Sequence, residues 1–369
     1  MRVSCWRPGQ APDLAPTPSR IQRPPSYNQR QISGSSTLSV TPEAVSAPAV
    51  TAPADPMDTE MRQVDAVIRE RLTSRVALIN QISNYIIGAG GKRIRPRLVL
   101  LFAQALGFEG RERFELAATV EFIHTATLLH DDVVDESSLR RGRATSNAIF
   151  GNAASVLVGD FLYSRAFQMM VSVSRMRVLE VLADATNVIA EGEVLQLMNM
   201  HDPDITVEDY LRVIRFKTAK LFEASARLGA VLAGADAAVE DSCAAYGRAL
   251  GTAFQLVDDL LDYEGKSDEL GKNVGDDLRE GKPTLPLLVA MQRGNSDERS
   301  LIRTAIEQGE VERLPEIIAI VRRTGALDAT REAAEAEADL ARDCLATLPE
   351  SKARSALLEL CVRAVHRSS

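Results

Sequence analysis

The sequence is short of aromatic residues, of cysteine and of long apolar runs. Aromatic side chains make up 5% of its 369 residues, which favours a helical protein over a β-sheet protein. No stretch of about 18 consecutive apolar residues is present, so no transmembrane helix is expected. The four cysteines lie far apart and form no CxxC pair, which argues against a zinc site or a disulfide framework.

Basic residues are fewer than acidic residues. Lysine and arginine total 43 against 51 aspartates and glutamates, so the formal net charge is −8. Non-specific nucleic-acid binding depends on basic side chains that neutralise phosphates, and we therefore expect no nucleic-acid partner. Hydrophobic residues at 45% and charged residues at 25% are close to globular averages, which excludes a wholly disordered or collagen-like chain.

Proline is scarce except at the beginning of the chain. Ten of the 16 prolines fall within residues 1–56, which show no sustained apolar periodicity. Such a segment cannot bury enough apolar surface to offset its ordering entropy, so residues 1–56 are predicted to be a disordered, Pro-rich N-terminal extension.

Two interpretations of this extension stay open. Its five arginines and only three acidic residues loosely resemble an organellar transit peptide. We favour the alternative that it is an untranslated or dispensable extension with Met57 near the start, because its prolines would interrupt an amphipathic helix.

Apolar residues with helical spacing begin soon after the extension. Seven of them recur every three or four residues, as on one face of a helix: Val64, Ile68, Leu72, Val76, Ile79, Ile82 and Ile86. Glycines at 88, 90 and 91 then end this pattern. Similar periodic stretches continue to the C-terminus without a convincing series of strands. Residues 57–369 are therefore predicted to form one large all-α domain.

The sharpest signal is a DDxxD motif that occurs twice. Asp131, Asp132 and Asp135 form the first copy, and a second copy lies 127 residues further on: Asp258, Asp259 and Asp262. Residues i and i+4 share a face of a helix, so the outer aspartates of each copy point the same way. Their carboxylates repel one another unless something positive compensates. Oxygen ligands of this kind suit Mg²⁺, which is typically shared with substrate phosphates.

A single acidic motif would be explained more simply as a solvated surface patch. Here both copies are embedded in apolar sequence that should be buried, and buried carboxylates need partners. Neither copy has the pattern of an EF-hand loop, so a calcium site of that type is excluded. The pair therefore predicts a magnesium and phosphate site.

Basic residues accompany the acidic motifs. Three cations lie in the segment Gly90-Gly91-Lys92-Arg93-Ile94-Arg95-Pro96, and further ones follow at Arg140, Arg141, Arg143, Lys217 and Lys272. Each one alone would be read as a solvated surface charge. Together with two metal-binding motifs they predict a cavity for diphosphates, because cationic side chains and Mg²⁺ neutralise phosphate oxygens.

With these motifs the sequence resembles the trans-polyprenyl diphosphate synthases, and within them the long-chain, octaprenyl-type bacterial enzymes. The likeness extends from about residue 60 to the C-terminus and includes these segments: Gly90–Pro96, Phe122–Arg143, Gly151–Met170, Ala190–Asp204, Lys217–Glu223, Gly251–Tyr263 and Gly271–Leu288. The resemblance implies an isoprenoid-synthase-type bundle of about a dozen helices around a central cavity. It also implies a homodimer.

The resemblance assigns roles to individual residues. Asp131 and Asp135 would bind two Mg²⁺ ions and Asp258 a third, so about three ions per active site, with Asp132, Asp259 and Asp262 in support. The allylic diphosphate would contact Arg140, Lys217, Thr218, Gln255 and Lys272. Isopentenyl diphosphate would be held by Lys92, Arg95, His124 and Arg141. Helical spacing agrees in part, since His124 lies two turns before Asp131.

The implied reaction is the condensation of isopentenyl diphosphate onto an allylic diphosphate, with farnesyl diphosphate as the expected primer. Product length should depend on Thr127 and Ala126, four and five residues before Asp131. Long-chain members of the family have small residues here, which predicts seven to ten isoprene units, with eight suggested by the octaprenyl likeness. The product would supply the side chain of a respiratory quinone.

Two other functions remain as alternatives, namely a terpene cyclase with the same fold and a non-catalytic subunit of a heteromeric prenyl synthase. Cyclases usually carry Asn and Ser or Thr in the second metal motif, and regulatory subunits generally lose aspartates or basic residues. The intact motifs favour the synthase. We expect a bacterial cytoplasmic enzyme that contacts the membrane transiently to release product, or an organellar one if the extension is a transit peptide.

Overall fold

A computed structural model of the chain describes residues 56–88, 90–140, 142–264 and 274–366. Residues 1–55 of the predicted extension lie outside the described residues, as do Arg141 and Lys272. Within the described ranges the structure is almost entirely helical, which confirms the predicted all-α class. The β-structure there is one antiparallel hairpin of β1 (Leu139–Arg140) and β2 (Arg143–Ala144).

The first half of the domain contains helices α1 (Pro56–Leu72), α2 (Ala77–Gly88), α3 (Ile94–Ala105), α4 (Glu112–Val134), α5 (Ser146–Phe150), α6 (Asn152–Ser172) and α7 (Met176–Asn199). The second half contains α8 (Val207–Ile214), a π-helix (Arg215–Ala219), α9 (Lys220–Ala233), α10 (Ala237–Glu264), α11 (Asp276–Arg279), α12 (Leu285–Arg293), α13 (Ser296–Gln308), α14 (Leu314–Arg323), α15 (Ala326–Cys344), a 3₁₀ turn (Leu345–Thr347) and α16 (Lys352–Val365).

The first periodic segment is two helices rather than the one that its apolar spacing predicted. A short break separates α1 from α2, and Val76 within it is 56% exposed. Side-chain hydrogen bonds replace the helical ones there. Asn80 Oδ1 accepts from the Ser74 amide at 3.0 Å, and Asn80 Nδ2 donates to the Ser74 carbonyl at 2.8 Å. Such local bonds compete with helical hydrogen bonding, and apolar spacing does not reveal them.

Two long helices, α4 with 23 residues and α10 with 28, form the centre of the domain. Apolar side chains of α4 pack in a core with α1, α6 and α7, whereas those of α10 pack on one side against α12 to α15 and on the other against α3, α9 and α16. Each of the two helices carries one DDxxD motif at its C-terminal end. The core thus fixes the positions of both acidic motifs.

Glycines allow close approach between the helices that carry candidate site residues. A Cβ atom added to Gly247 of α10 would lie 2.4 Å from the Phe222 carbonyl oxygen, and one added to Gly251 would lie 2.7 Å from Ala219 Cα. On α7, a Cβ atom at Gly192 would lie 2.6 Å from the backbone nitrogen of Lys217. Backbones at these points are in direct contact, so the π-helix is held between α7 and α10.

We expect Gly247→Ala to lower the free energy of unfolding by about 1–3 kcal/mol, because the added methyl group must push two packed helices apart. Urea unfolding followed by circular dichroism measures the change. Gly88→Ala is the matched control, since a Cβ atom at Gly88 meets nothing within 4 Å. Equal stability of the two variants would contradict the close packing of α9 on α10.

Candidate active site

A cavity of about 720 Å³ lies between the C-terminal ends of α4 and α10. Most of the residues singled out in the sequence line it: Lys92, Arg95, His124, Thr127, Asp131, Asp135, Arg140, Lys217, Thr218, Gln255, Asp258, Asp259 and Asp262. The structure therefore brings both acidic motifs and the basic residues around a single space. Arg141 and Lys272 lie outside the described residues, so their predicted contacts stay predictions.

The first acidic motif faces a lysine that the π-helix positions. Lys217 Nζ lies 3.9 Å from Asp131 Oδ1 and 2.6 Å from Glu193 Oε2. Burial raises the pKa of Asp131, and the charge of Lys217 opposes this shift. Burial likewise raises the pKa of Glu193 to about 7. Glu193 was not among the sequence predictions, yet it shares Lys217 with the first motif.

A second lysine, Lys282, contacts the other end of this motif. Its Nζ lies 3.3 Å from Asp135 Oδ2 and also pairs with Glu280. Burial by itself would lower the pKa of Lys282, but the neighbouring carboxylates, Asp135 first, raise it above the ordinary value. Lys282 therefore stays charged and compensates the carboxylates at this side of the cavity.

Sequence reasoning missed Lys282, although a signal was present. The chain has only seven lysines among its 43 basic residues, and Lys282 lies in the motif Gly281-Lys282-Pro283-Thr284-Leu285-Pro286-Leu287. A lysine in an otherwise apolar, proline-bounded segment is unusual, because lysine is almost never buried without a partner. That combination would have nominated Lys282 as a site residue.

The middle aspartate of the first motif turns away from the cavity. Asp132 is 1% exposed, and its Oδ1 accepts from Arg140 Nε at 2.7 Å. Asn147 Nδ2 donates to the Asp132 carbonyl at 3.0 Å, which ties the end of α4 to the helix after the hairpin. Asp132 thus orients Arg140 toward the cavity, and its predicted support of metal binding stays a prediction.

In the second motif Asp258 lines the cavity, while Asp259 is buried in a hydrogen-bond network. Thr218 Oγ1 donates to Gln255 Oε1 at 2.9 Å, and Gln255 Nε2 donates to Asp259 Oδ1 at 2.7 Å. The hydroxyl of Tyr210 donates to Asp259 Oδ2. Burial raises the pKa of Asp259 to about 8. The network fixes two predicted diphosphate contacts, Thr218 and Gln255, through a tyrosine that the sequence did not single out.

Asp262 accepts hydrogen bonds from backbone amides at the start of α11. Its Oδ1 accepts from the Gly275 amide at 3.2 Å and its Oδ2 from the Asp277 amide at 3.3 Å. These bonds place the start of α11 beside the cavity. Asp262 thereby supports the position of its neighbours, and its predicted support of metal binding stays a prediction.

The cations of the Gly-Gly-Lys-Arg turn rest on aromatic faces. Lys92 Nζ lies 5.8 Å from the centre of the Phe254 ring, and the guanidinium of Arg95 lies 4.4 Å from the centre of the Phe222 ring. In contacts of this kind the face of an aromatic ring attracts a charged group. Both side chains line the cavity, where they can contact an anionic ligand.

The structure places the two predicted chain-length residues differently. Thr127 lines the cavity as expected. Ala126 does not line it and is instead fully buried in the core of α1, α4, α6 and α7. The reason is helical rotation at about 100° per residue, since a residue five positions before Asp131 points about 140° away from it, whereas one four positions before is about 40° away.

The carboxylates suit divalent cations shared with a phosphate ligand. Within residues 56–88, 90–140, 142–264 and 274–366, no three His, Cys, Asp or Glu side chains converge closely enough to hold an ion by themselves. Mg²⁺ does not need three such side chains, because one or two carboxylates usually bind it together with waters and substrate phosphates. Asp131, Asp135 and Asp258 offer only oxygen atoms around one cavity, which fits Mg²⁺ in the presence of a diphosphate.

Comparison with known proteins agrees with this geometry. A family model described as polyprenyl synthetase matches residues 76–321. Octaprenyl diphosphate synthase of Escherichia coli (strain K12) is 58% identical over 309 residues, which cover 84% of this chain and 96% of that protein. All-trans-nonaprenyl-diphosphate synthase (geranyl-diphosphate specific) of Rhodobacter capsulatus is 46% identical over 313 residues, 85% of this chain and 96% of the relative.

A solved structure is also similar over most of the chain. Polyprenyl synthase of Caulobacter crescentus CB15, crystallised with calcium and isoprenyl diphosphate, superposes with a TM-score of 0.82 at 48% identity. The match covers 85% of this chain and 96% of that one.

We expect Tyr210→Phe to destabilise the protein by about 1–3 kcal/mol, because it removes the donor to a buried carboxylate oxygen of Asp259. Thermal unfolding measures the effect. Tyr85→Phe serves as the control, since the Tyr85 hydroxyl donates to the Ala144 carbonyl at an exposed position where water can replace it. A Tyr210→Phe variant as stable as the control would contradict the network around Asp259.

Proposed function

The chain belongs to the polyprenyl synthetase family, and from that premise we propose that it condenses isopentenyl diphosphate units onto an allylic diphosphate to form all-trans octaprenyl diphosphate. It is a prenyltransferase, a long-chain trans-polyprenyl diphosphate synthase. The observation that carries the proposal is the single cavity at which two DDxxD motifs, on α4 and α10, meet the basic side chains.

The allylic diphosphate is assigned to the space between the two acidic motifs. Asp131, Asp135 and Asp258 are the residues that would hold Mg²⁺, about three ions in all. Bound Mg²⁺ neutralises diphosphate oxygens and so stabilises the charge of the leaving group. Arg140 and Lys217 add fixed positive charge there, and the orientation of each is set by a carboxylate, Asp132 or Glu193 respectively. Lys282 belongs to the same group of cations.

Isopentenyl diphosphate is assigned to the other side of the cavity, at Lys92, Arg95 and His124. In the reaction the allylic C–O bond breaks, and its electron pair leaves with the diphosphate. The double bond of isopentenyl diphosphate then attacks the allylic carbon, and a proton leaves the adjacent carbon to restore a double bond. The released diphosphate accepts that proton. The protein's side chains position the substrates, neutralise the charge of the diphosphate and exclude water.

A product of eight isoprene units is supported by the identity to the Escherichia coli octaprenyl enzyme, which exceeds that to the nonaprenyl enzyme of Rhodobacter capsulatus. The small side chains of Thr127 and Ala126 agree with a long product. We place the path of the growing chain from the cavity wall at Thr127 into the core region beneath it, where Ala126 contributes only a methyl group. Farnesyl diphosphate is the proposed primer.

We also propose that the chain acts as a homodimer. Large apolar side chains remain exposed along two neighbouring helices, α6 and α7: Val156, Leu157, Phe167, Val171, Val194, Leu197 and Met198. Met198 is 72% exposed and Leu157 66%. A second copy that covered this face would remove these side chains from water. The proposal rests on this apolar face and on family membership.

The proposed product is strongly apolar, which favours contact with a membrane when the enzyme releases it. Among the described residues no helix is both long enough and apolar enough to cross a membrane. We propose a bacterial cytoplasmic enzyme that contacts the membrane transiently when it releases its product, with a quinone side chain as the destination of that product. The bacterial relatives support this placement.

The proposal is tested by incubating the purified chain with Mg²⁺, farnesyl diphosphate and labelled isopentenyl diphosphate, and then sizing the products. We expect eight isoprene units. Asp131→Ala and Asp258→Ala should each lower turnover at least about 100-fold, because each loses a group that helps to stabilise transition-state charge. Asp328→Ala is the control, a surface aspartate that is 77% exposed. Near-normal turnover of both cavity variants, or products shorter than seven units, would contradict the proposal.

We expect Ala126→Tyr to shorten the product, because a ring at this position blocks the path below Thr127 while the acidic motifs stay intact. The ring also overpacks the core, which typically costs about 1–3 kcal/mol. Product sizing is therefore paired with thermal unfolding. Ala230→Tyr is the control, since Ala230 is equally buried but belongs to the core of α3, α9, α10 and α16, and it should destabilise without shortening the product. An unchanged product length from a folded, active Ala126→Tyr variant would remove Ala126 from the path.

A further inference from the structure

The turn before α3 contains a residue in an unfavourable backbone conformation. Arg93 has φ 50° and ψ 35°, in the left-handed region that non-glycine residues seldom adopt. Gly90 and Gly91, with φ of 71° and 157°, precede it, so glycine is used freely in this turn but not at position 93. An arginine kept in such a conformation points to a function for its side chain.

The side chain of Arg93 forms an ion pair with an acidic residue of α4. Its Nη1 lies 2.6 Å from Glu121 Oε1, and the two side chains are only 16% and 12% exposed. Glu121 is in the middle of α4, one turn before His124 and almost three turns before Asp131. The ion pair therefore links the turn to the same helix that carries the first acidic motif.

The flanking residues explain why the position of this turn matters. Lys92 and Arg95, on either side of Arg93, reach the rings of Phe254 and Phe222 respectively. Those rings belong to α10 and α9, so the two cations extend into the cavity from a short segment anchored at Arg93. A shift of the turn would move both cations together.

The charge of Glu121 makes the pairing necessary. Glu121 lines the cavity, and an unpaired carboxylate there would repel a diphosphate. Arg93 neutralises it at 2.6 Å. A paired guanidinium of this kind forms a geometrically defined, charge-assisted contact.

We propose that Arg93 and Glu121 are positioning residues for the isopentenyl diphosphate site. Glu121 fixes Arg93, and through it the backbone that presents Lys92 and Arg95, while Arg93 removes the repulsion between Glu121 and the diphosphate. The inference rests on the proposed assignment of Lys92 and Arg95 to isopentenyl diphosphate. Neither Arg93 nor Glu121 touches the reacting atoms in this account.

Steady-state kinetics with both substrates tests the proposal. Glu121→Gln should raise the KM for isopentenyl diphosphate about tenfold, the factor that corresponds to about 1.4 kcal/mol, and leave kcat and the KM for farnesyl diphosphate unchanged. Arg93→Gly should raise the same KM further, because it leaves Glu121 unpaired. The double variant should return to the level of Glu121→Gln, since no carboxylate then remains to repel the diphosphate.

Two comparisons separate this role from a structural one. Glu115→Gln removes a similar ion pair on α4, the one with Arg71 at 2.7 Å, and should leave the KM for isopentenyl diphosphate unchanged. Glycine adopts the left-handed conformation at no steric cost, so Arg93→Gly keeps the backbone geometry accessible. A wild-type KM in Arg93→Gly would show that the turn needs backbone geometry alone and would overturn the proposal.

Lys92→Ala distinguishes failure of the inference from failure of the assignment beneath it. A raised KM for isopentenyl diphosphate in Lys92→Ala beside a normal one in Glu121→Gln would overturn the positioning role alone. An unchanged KM in Lys92→Ala would overturn the assignment of the turn to isopentenyl diphosphate, and the positioning role with it. Equal changes in the KM of both substrates in Glu121→Gln would likewise overturn the proposal.

Discussion

Carboxylates gathered around one cavity are the constraint on which the rest of the structure depends. Asp131 and Asp135 lie half-buried at the C-terminal end of α4, where the helix dipole also disfavours negative charge, and the more exposed Asp258 lies within the last two turns of α10. Lys217 and Lys282 contact the first motif and offset part of this repulsion. The negative charge that remains suits a ligand that brings cations and phosphate oxygens together.

The framework serves to keep these charges at fixed separations. Close backbone contacts at Gly192 and Gly251 hold the π-helix between α7 and α10, so Lys217 has little freedom to move away from Asp131. The middle aspartates are buried and have structural partners, Asp132 with Arg140 and Asp259 with Tyr210. The middle aspartates thus position basic and polar groups and Asp262 positions the start of α11, while Asp131, Asp135 and Asp258 line the ligand space.

Much of this site follows from local spacing, and the rest depends on contacts that spacing does not encode. The sequence alone predicted that the outer aspartates of each motif share a helix face and that His124 shares one with Asp131, because helical geometry relates residues three, four or seven apart. The contact between Lys282 and Asp135 joins residues 147 apart in sequence, and Tyr210 reaches Asp259 across 49, so tertiary packing alone decides them. Ala126 lies in the core and Thr127 at the cavity wall for a local reason, since one residue of helix rotation separates them, and the effect of Ala126 on product length stays a prediction.

The most direct test of this charge balance is the thermal unfolding of the protein with Mg²⁺, with inorganic pyrophosphate, and with both. A ligand that binds the folded state raises the melting temperature, by an amount that grows with the logarithm of its concentration relative to its Kd. Mg²⁺ alone meets Lys217 and Lys282 and should stabilise the protein only slightly, whereas pyrophosphate alone can bind near Lys92 and Arg95 but meets the aspartates between the two acidic motifs. Our account predicts that the two together raise the melting temperature by far more than the sum of the separate effects. Additive shifts, or a full shift with either ligand alone, would contradict it.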